Sequence, residues 1–511
     1  MSEAPAAKQE DQQPLGATEP DTLAAIDLGS NSFHLIVARV SNGTMQPLVQ
    51  DKQIVRLADG LDENQVLSEE AIERGLKVLR SFGETVKQLH PSNIRIVATY
   101  TLRRAKNRNQ FVRAARTIFP LPVEIISGDE EARLIYQGIA QTTHAEGKRL
   151  IVDIGGGSTE FVIGEHFDVL QLSSQPMGCI SYTGAFFADG SLTEDRFQQA
   201  ETKAQQRLEV IDRRFCNTGW DIALGTSGTA KAIAQYAESQ NLLEQGSFDL
   251  KALEEMKKQL IKAGSTDNIL GIDEPRKPVI AAGLSIMIAI FRQLGIEKMG
   301  IGEAALREGV LYDLTERMDH QDIRERTVSS LVVRYDIDQE QTRRVQETAD
   351  HLFRPCAHLF AEDQRVDLER TLSWAITLHE IGLHINRRGI QRHSKYIVEN
   401  TEMPGFSDEE QKLLGLLVGS YRKRFQRKKF PDFSQYESDQ IFILVMILRL
   451  STLLNQRRLD DHIPELAFGS SETAAQITFP VNWLAERQLV KADLLSESKI
   501  LETNNFELTI S

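Results

Sequence analysis

Cysteine is scarce in this sequence, and no apolar stretch is long enough to cross a membrane. Three cysteines (Cys179, Cys216 and Cys356) lie far apart among 511 residues without metal-ligand spacing, which argues against a disulfide scaffold and fits a reducing compartment. Residues 441–454 come nearest to a membrane span, but they fall short of the roughly 18 residues required and contain Arg449. We therefore expect a cytoplasmic protein with no membrane partner and a buried helix at this stretch.

The first residues lack the features expected of a signal peptide, and the net charge is not positive. Residues 1–21 are polar and rich in Pro and Ala, without a basic start or an apolar core, and we expect a disordered tail. With 59 basic and 73 acidic side chains, the formal net charge is −14. Such a surface repels polyanions unless basic side chains are gathered locally.

Two common nucleotide-binding fingerprints are missing as well. None of the glycine loops matches G-x-x-x-x-G-K-[ST], which excludes a P-loop. An apolar strand follows each Asp-Gly turn, whereas a Rossmann fingerprint must open a helix.

The chain does contain one motif written twice. Residues 25–37 read AIDLGSNSFHLIV and residues 150–163 read LIVDIGGGSTEFVI, so each is a strand, an Asp, a glycine turn and a second strand. Aligned with one another, they place Asp27 on Asp153. Glycine turns expose backbone N–H groups, and flanking carboxylates suit the metal ion that accompanies a phosphate. The repetition predicts two facing lobes that grip one anionic ligand.

Charged residues follow two further predicted strands. Arg103 lies just after the strand predicted at 94–99, and ligands of open α/β sheets bind at the carboxyl ends of strands. Asp129, Glu130 and Glu131 begin a helix, where acidic residues are favourable through the helix dipole alone. One glutamate is also a candidate general base, and spacing does not distinguish Glu130 from Glu131.

A third, weaker anion-binding element is the turn GTSGT at residues 225–229. Gly228 and Thr229 open a helix after a predicted strand, so the backbone N–H groups there are available to a phosphate.

Between about residues 319 and 465 the pattern changes to long helices, and one segment there is strongly basic. RKRFQRKKF, at 422–430, has six basic residues in nine: Arg422, Lys423, Arg424, Arg427, Lys428 and Lys429. Basic runs are usually solvated surface, but this one lies inside a folded region, and we interpret it as a track for a long polyanion. Nucleic acid is not the expected partner, because no recognition helix or aromatic-bearing sheet accompanies the run.

Six of the eleven histidines fall between His351 and His462. Clustered histidines can bind a metal, but the ligand set is incomplete here, which favours a structural role.

These patterns predict an α/β protein with two lobes around a cleft, followed by helical and smaller α+β parts. The expected units are a tail (1–21), lobe I (22–135), lobe II (136–318), a helical domain (319–465) and a small C-terminal domain (466–511).

Six motifs together resemble the exopolyphosphatase/guanosine pentaphosphate phosphohydrolase family, of the sugar kinase, heat-shock ATPase and actin superfamily. They are DLGSNSFH, TLRRA, SGDEEARLIYQG, DIGGGSTE, GTSGT and ALREGVLYD. The resemblance runs from about residue 22 to beyond 460. It implies two actin-like (ribonuclease H-like) lobes, a helical HD-like domain, and a homodimer.

The resemblance also implies residue roles. Glu131 is the implied catalytic base, Arg103 the phosphate clamp, and Asp27, Asp153 and Glu160 the carboxylates of a site for Mg²⁺ or Mn²⁺. The implied phosphate cradle is made of Asn31, Ser32, Gly156, Gly157 and Ser158. The HD-like domain departs from a working metal phosphohydrolase, because His379 is followed by Glu380 rather than by Asp.

Two reactions of the family compete. One releases terminal orthophosphate from inorganic polyphosphate, and the other removes the 5′ terminal phosphate of guanosine pentaphosphate (pppGpp). The basic run favours the polymer, because a nucleotide does not reach beyond the cleft, and one enzyme with both activities is also consistent with the motifs. An ATP-dependent kinase or ATPase of the same fold is a remote alternative without a sugar-recognition signature. A purely regulatory binding protein is disfavoured, because every implied catalytic position is filled.

Overall fold

The computed structural model describes residues 22–511 except 42–43, 120, 144–146, 244–245, 267–268, 270, 319–321 and 461–462. The tail expected at residues 1–21 lies outside the described residues. The mixed α/β class is confirmed: two mainly α/β parts are followed by a helical part with a small sheet.

The first sheet has the strand order β3-β2-β1-β4-β5. Its strands are β1 (Thr22–Leu28), β2 (Ser32–Ser41), β3 (Thr44–Ile54), β4 (Ile94–Ala98) and β5 (Val123–Ile125). The accompanying helices are α1 (Glu69–Val86), α2 (Tyr100–Arg104), α3 (Arg108–Ile118) and α4 (Gly128–Thr142). The apolar side chains of one sheet face pack with α1 and α3 into a single core.

The second sheet has the order β10-β11-β9-β6-β7-β8. Its strands are β6 (Lys148–Ile154), β7 (Thr159–Glu165), β8 (Asp168–Gln175), β9 (Ile222–Thr226), β10 (Phe248–Asp249) and β11 (Lys298–Ile301). The helices of this lobe are α5 (Cys179–Phe186), α6 (Glu194–Leu208), α7 (Asp212–Thr218), α8 (Ser227–Ser239), α9 (Leu250–Ala263) and α10 (Lys277–Leu294). The central strand β6 is an apolar run because helices cover both of its faces.

The two sheets repeat one topology. In each, an antiparallel hairpin (β1–β2 or β6–β7) extends to a third antiparallel strand, and a parallel strand (β4 or β9) lies on the other side. The internal duplication predicted from the two Asp-Gly motifs is therefore present in the strand order.

Helices α4 and α11 (Leu306–Met318) lie between the lobes. They pack against each other, and their apolar residues form one core with side chains from both sheets. Although α4 follows the first sheet in the chain, it packs on β7 and β8, whereas α11 packs on β1 and β2. Helix α4 thus packs on the sheet of lobe II, although the predicted division at 135 assigns its first half to lobe I. Helix α11 packs on the sheet of lobe I, although it lies within the range 136–318 predicted for lobe II.

A helical part follows, with its own large core. Its helices are α12 (Ile323–Arg334), α13 (Gln339–Cys356), α14 (Glu362–Leu378), α15 (Ile390–Asn400), α16 (Asp408–Ser420) and α17 (Ser438–Leu454). The C-terminal residues form β12 (Ala467–Ser470), β13 (Ala474–Thr478), α18 (Gln488–Glu502) and β14 (Glu507–Ile510), and their apolar side chains join this same core. Asp408 and Asp432 accept hydrogen bonds from Arg108 and Arg113 of α3, so the helical part is docked on lobe I.

One helix among the described residues is long and apolar enough, by length and composition, to cross a membrane. It is Glu274–Leu294, with a mean hydropathy of 1.4, and 72% of it is buried inside the protein. Such burial is typical of a core helix. This stretch, rather than residues 441–454, is the nearest candidate, and residues 441–454 lie in the buried helix α17 as expected.

Candidate active site

The two Asp-Gly hairpins meet at a cleft of about 230 Å³ between the lobes. Seven of the site residues predicted from the sequence line it: Asp27, Asn31, Ser32, Glu131, Asp153, Gly228 and Thr229. Asp27 and Asp153 thus share one cavity, as the repeated motif predicted.

Each aspartate is positioned by its hairpin. Asp27 lies near the end of β1 opposite His34, and Asp153 lies near the end of β6 opposite Glu160. The hydroxyl of Thr226 donates to Asp153 Oδ2 at 2.6 Å. Among the described residues, Asp27 Oδ1 has no hydrogen-bond partner although it is buried, and Oδ2 lies 3.8 Å from His34 Nδ1. A buried carboxylate oxygen without a donor is costly, and a bound cation would satisfy it.

Glu131 reaches the same cleft from the first turn of α4. Ser127 caps this helix by accepting from the Glu130 N–H at 3.1 Å, which fixes where the first turn begins. Arg103 Nη1 donates to Glu131 Oε2 at 3.2 Å and to the Ile126 carbonyl at 2.8 Å. Arg103 therefore orients Glu131.

The structure also separates the two neighbouring glutamates that spacing left undistinguished. Glu131 lines the cleft, whereas Glu130 forms a two-point ion pair with Arg133 at 2.7 and 2.8 Å. Glu131 is thus the candidate base by position.

Burial and mutual repulsion raise the pKa values of these carboxyl groups. Burial, followed by the charges of Glu131 and Asp153, raises the pKa of Asp27 to about 8, against the opposing pull of Arg307. Burial also raises the pKa values of Glu131, Asp153 and Glu160. A group of carboxyls in this state gains stability from a cation that lets them ionise.

The carboxylates suit Mg²⁺, which needs few protein ligands, better than a metal ion whose ligands all come from the protein. No set of three or more His, Cys, Asp or Glu side chains in the described part of the chain converges tightly enough to hold a metal ion. Glu160 instead accepts from the Ser174 hydroxyl at 2.8 Å, and a hydrogen bond from Ser158 lowers its pKa against the larger effect of burial. Mg²⁺ takes one or two carboxylates and completes its shell with water and substrate phosphate, which suits Asp27 and Asp153. The three-carboxylate set remains a prediction.

The glycine turn of the second hairpin is a packing surface as well as a candidate cradle. A Cβ on Gly157 would lie 2.0 Å from the ring of Tyr100, and one on Gly156 would lie 3.0 Å from Ser30. Both contacts are with lobe I, so these glycines let the two lobes approach. The N–H of Ile180 in α5 donates to the Gly156 carbonyl at 2.8 Å, which holds the turn from the other side.

Four basic side chains also line the cleft, and sequence reasoning missed most of them. Lys52, Lys231, Arg276 and Arg307 line the cavity. The guanidinium of Arg276 lies directly over Gly228, where any side chain would collide with it. Burial, together with Arg276 and Arg307, lowers the pKa of Lys52. Arg307 belongs to the ALREG segment, but no sequence signal marked the other three cations.

The basic run lies in the helical part, at a separate groove of about 1160 Å³. Arg424, Arg427, Lys428 and Lys429 line it together with Lys499 of α18. Arg422 and Lys423 are exposed outside this lining. Arg427 differs from the rest, because it is ion-paired with Asp439 and its guanidinium lies 4.9 Å from the centre of the Phe442 ring.

The histidine-rich region is held by internal contacts. His379 is buried, and its Nδ1 lies 2.6 Å from the Ile376 carbonyl, while burial lowers its pKa. Arg458 donates to both carboxylate oxygens of Glu380 at 2.6 Å, so a guanidinium is bound where the motif would present a metal ligand.

Comparisons with known proteins agree with this geometry. Residues 36–318 match the model of the Ppx/GppA phosphatase family, and residues 323–498 match Ppx/GppA phosphatase, domain III. The chain is similar to a guanosine-5′-triphosphate,3′-diphosphate pyrophosphatase of Aeromonas hydrophila, with 39% identity over 93% of this chain and 95% of the relative. It is also similar to the protein of that name in Pseudoalteromonas translucida, with 38% identity over 95% of this chain and 98% of the relative.

Among solved structures, an exopolyphosphatase from Cytophaga hutchinsonii covers 59% of this chain and 98% of its own, with 24% identity and a TM-score of 0.53. This likeness supports the fold. The resemblance carried by the six sequence motifs is confirmed.

Proposed function

Since the chain belongs to the Ppx/GppA phosphatase family, we propose that its cleft hydrolyses the terminal phosphoanhydride bond of a substrate with several linked phosphates. One observation carries the proposal: Glu131, Asp27 and Asp153 line one cavity together with the cations Lys52, Lys231, Arg276 and Arg307. Phosphoryl transfer needs charge neutralised on the phosphoryl oxygens and a water aligned behind phosphorus, and this arrangement supplies groups for both.

Two substrates fit the proposal, each with an observation in its favour. The names of the relatives that share 38–39% identity favour pppGpp, whose 5′ terminal phosphate would be released to leave ppGpp. The basic groove at Arg424, Lys428 and Lys429 favours long inorganic polyphosphate, because a nucleotide bound in the cleft has no need of it. Both present the same terminal phosphoanhydride to the cleft, so one enzyme can use both.

In the reaction, Glu131 orients a water and takes its proton. Burial raises the pKa of Glu131, which brings it nearer to the working pH and strengthens it as a base. Arg103, 3.2 Å from its carboxylate, fixes the direction in which it points. Arg276 and Arg307, which line the same cleft, bind the phosphoryl oxygens, together with the N–H groups at the start of α8.

Asp27 and Asp153 would hold the metal. When bound, Mg²⁺ or Mn²⁺ neutralises charge that develops on the phosphoryl oxygens. The buried, unpartnered Oδ1 of Asp27 is the feature of this chain that supports it.

The experiment is a comparison of phosphate release from long-chain polyphosphate, pppGpp and ATP at matched concentrations with Mg²⁺. We expect release from the first two at kcat/KM values well above that for ATP. Release from ATP alone would favour the kinase or ATPase alternative, and release from none of the three would refute the proposal.

We also propose that the protein acts in the cytoplasm as a homodimer. The three cysteines are free thiols, as expected in a reducing compartment, and the family resemblance implies the dimer. Light scattering after size-exclusion chromatography measures the mass, and a monomer would contradict the second claim.

A further inference from the structure

Glu130 and the loop 401–407 of the helical part form a contact that no step of the reaction uses. The loop joins α15 to α16, and its Gly405 N–H donates to Glu130 Oε2 at 2.9 Å. Glu130 is the residue next to the candidate base, and it is 97% buried, with an exposure of 3%. A residue of the helical part therefore hydrogen-bonds directly to the turn of α4 that carries Glu131.

The contact belongs to a closed ring of polar groups. The Gly405 carbonyl accepts from Arg317 Nη2 at 3.1 Å, and Arg317 Nε donates to Asp313 at 2.9 Å. Asp313 also accepts from Arg133 at 2.5 Å, and Arg133 returns to Glu130 at 2.7 and 2.8 Å. Both polar backbone groups of Gly405 are thus tied to the interlobe helices α4 and α11.

The loop also contacts helix α12 of the helical part. Thr327 of α12 donates to the Pro404 carbonyl at 2.8 Å. Gly405 has φ of +88°, and a Cβ there would lie 2.3 Å from Ile323 Cγ2. Only glycine fits this backbone without strain, so a side chain at this position would displace the loop from Glu130.

The charges of the ring are buried and paired. Burial alone would raise the pKa of Asp313, but the guanidinium groups of Arg133, Arg95 and Arg317 hold it below its usual range. A buried ion network that is satisfied throughout resists distortion, because removing one member leaves an uncompensated charge.

We propose that the Gly405 loop positions the catalytic glutamate: by anchoring Glu130, it fixes the first turn of α4 and so the place of Glu131 in the cleft. Glu130 is then a positioning residue for the reaction, and the helical part contributes to catalysis without touching substrate at the cleft. This inference rests on the proposed function, since it concerns the base of that reaction.

The loop also connects the site to the polyanion track. Helix α16 runs from this loop to Ser420, and the basic run begins two residues later at Arg422. The basic run therefore follows in sequence the helix that begins after this loop.

Two substitutions test the proposal from opposite sides of the contact. Glu130→Gln keeps an acceptor for Gly405 but loses the charge that holds Arg133. Gly405→Ala leaves the ion network intact and displaces the loop. Asp432→Asn is the matched control, because it removes the charge from an ion pair between the helical part and Arg113 of α3 without touching α4.

We expect both test variants to lower kcat about 10- to 100-fold, because small displacements of a reacting group cost rates of this size. KM should stay within about twofold, since the substrate contacts are untouched. Folded protein is quantified by thermal unfolding, so that a lost folded fraction is not counted as lost turnover. The control should match the wild type.

Wild-type kcat in Gly405→Ala, or an equal loss in Asp432→Asn, would overturn the proposal. If Glu130→Gln does not fold, Gly405→Ala decides. If the wild type itself releases no phosphate, the proposed function fails. The contact between Gly405 and Glu130 is then tested by the rate of amide hydrogen exchange at residues 128–131. Faster exchange there in Gly405→Ala but not in Asp432→Asn supports it, and unchanged exchange contradicts it.

Discussion

His34 occupies in the first hairpin the register position that Glu160 occupies in the second. His34 is paired with Asp27, and Glu160 with Asp153. The duplicated motif is therefore chemically asymmetric, with a single carboxylate on one side and two on the other. Burial, followed by Arg307, Lys52 and Arg276, lowers the pKa of His34 to about 3, so the imidazole is neutral near pH 7.

Replacing His34 by Glu tests this asymmetry. A carboxylate at His34 would repel Asp27, raise its pKa further and oppose the negatively charged phosphates of the substrate, so we expect kcat/KM near neutral pH to fall about tenfold or more. His34→Gln adds no charge, and its kcat/KM should stay within about threefold of the wild-type value. Steady-state kinetics at several Mg²⁺ concentrations would measure both. Equal losses in the two variants would show that the imidazole itself, rather than the absence of charge, is needed.

Asp27→Asn should stabilise the protein when no divalent metal is present. Because the pKa of Asp27 is raised to about 8 in the folded state, the folded form retains a proton that the unfolded chain has lost. Asp27 therefore does not lower the free energy of unfolding of the wild type below about pH 4, and it lowers that free energy increasingly as pH rises toward about 8. We expect Asp27→Asn to gain on the order of 5 kcal/mol at about pH 8, from roughly 1.4 kcal/mol for each pH unit between the two pKa values, and little at about pH 4.

Denaturant unfolding in EDTA and in Mg²⁺ measures this effect. Mg²⁺ should stabilise the wild type, more strongly at higher pH, and should not stabilise Asp27→Asn. An identical pH dependence in both proteins would mean that Asp27 is ionised in the folded state.

The repeated motif made the hairpins and the shared cavity predictable, because an apolar strand ending in Asp-Gly imposes a local turn wherever it occurs. Boundaries were less predictable where tertiary contacts set them. Strand β3 pairs along β2 as an exposed edge, and its polar side chains carry no local strand signal. A break likewise separates α6, which ends at Leu208, from α7, which begins at Asp212.

The acidic residues of the cleft could be predicted from the sequence, whereas most of its basic residues could not. Asp27, Asp153 and Glu131 follow motifs at strand ends, where topology alone gathers side chains. Arg276 comes from the turn before α10, and Lys52 from the edge strand β3, so neither has local spacing that announces a ligand. Their convergence follows from the closing of the lobes around α4 and α11, which no local pattern encodes.

Neutralising the exposed part of the basic run should affect long substrates selectively. Arg427 is left unchanged because it is paired with Asp439. The changes are to Gln at Arg422, Lys423, Arg424, Lys428 and Lys429. We expect KM for long-chain polyphosphate to rise about tenfold or more and KM for pppGpp to stay within about twofold, because field focusing along a charged groove acts on the polymer.

A control with the same charge change uses five exposed cations of lobe II. These are Lys203, Arg207, Lys251, Lys258 and Lys262. This control variant should leave the KM values for both substrates near those of the wild type. An equal rise of KM for both substrates in the first variant, or the same rise in the control, would remove the track interpretation.

Glu131→Gln should abolish turnover while preserving binding. The amide keeps the size of the side chain and can still contact Arg103, 3.2 Å away in the wild type, but it cannot take a proton from water. We expect kcat to fall about 10²- to 10⁴-fold, the range for loss of a general base, with substrate affinity within about threefold. Asp129→Asn is the matched control, because Asp129 lies in the same first turn of α4 but does not line the cleft. Rapid-quench measurement of phosphate release and equilibrium binding of pppGpp separate the two effects. Near-normal kcat in Glu131→Gln, or a comparable loss in Asp129→Asn, would mean that the water is activated by another group.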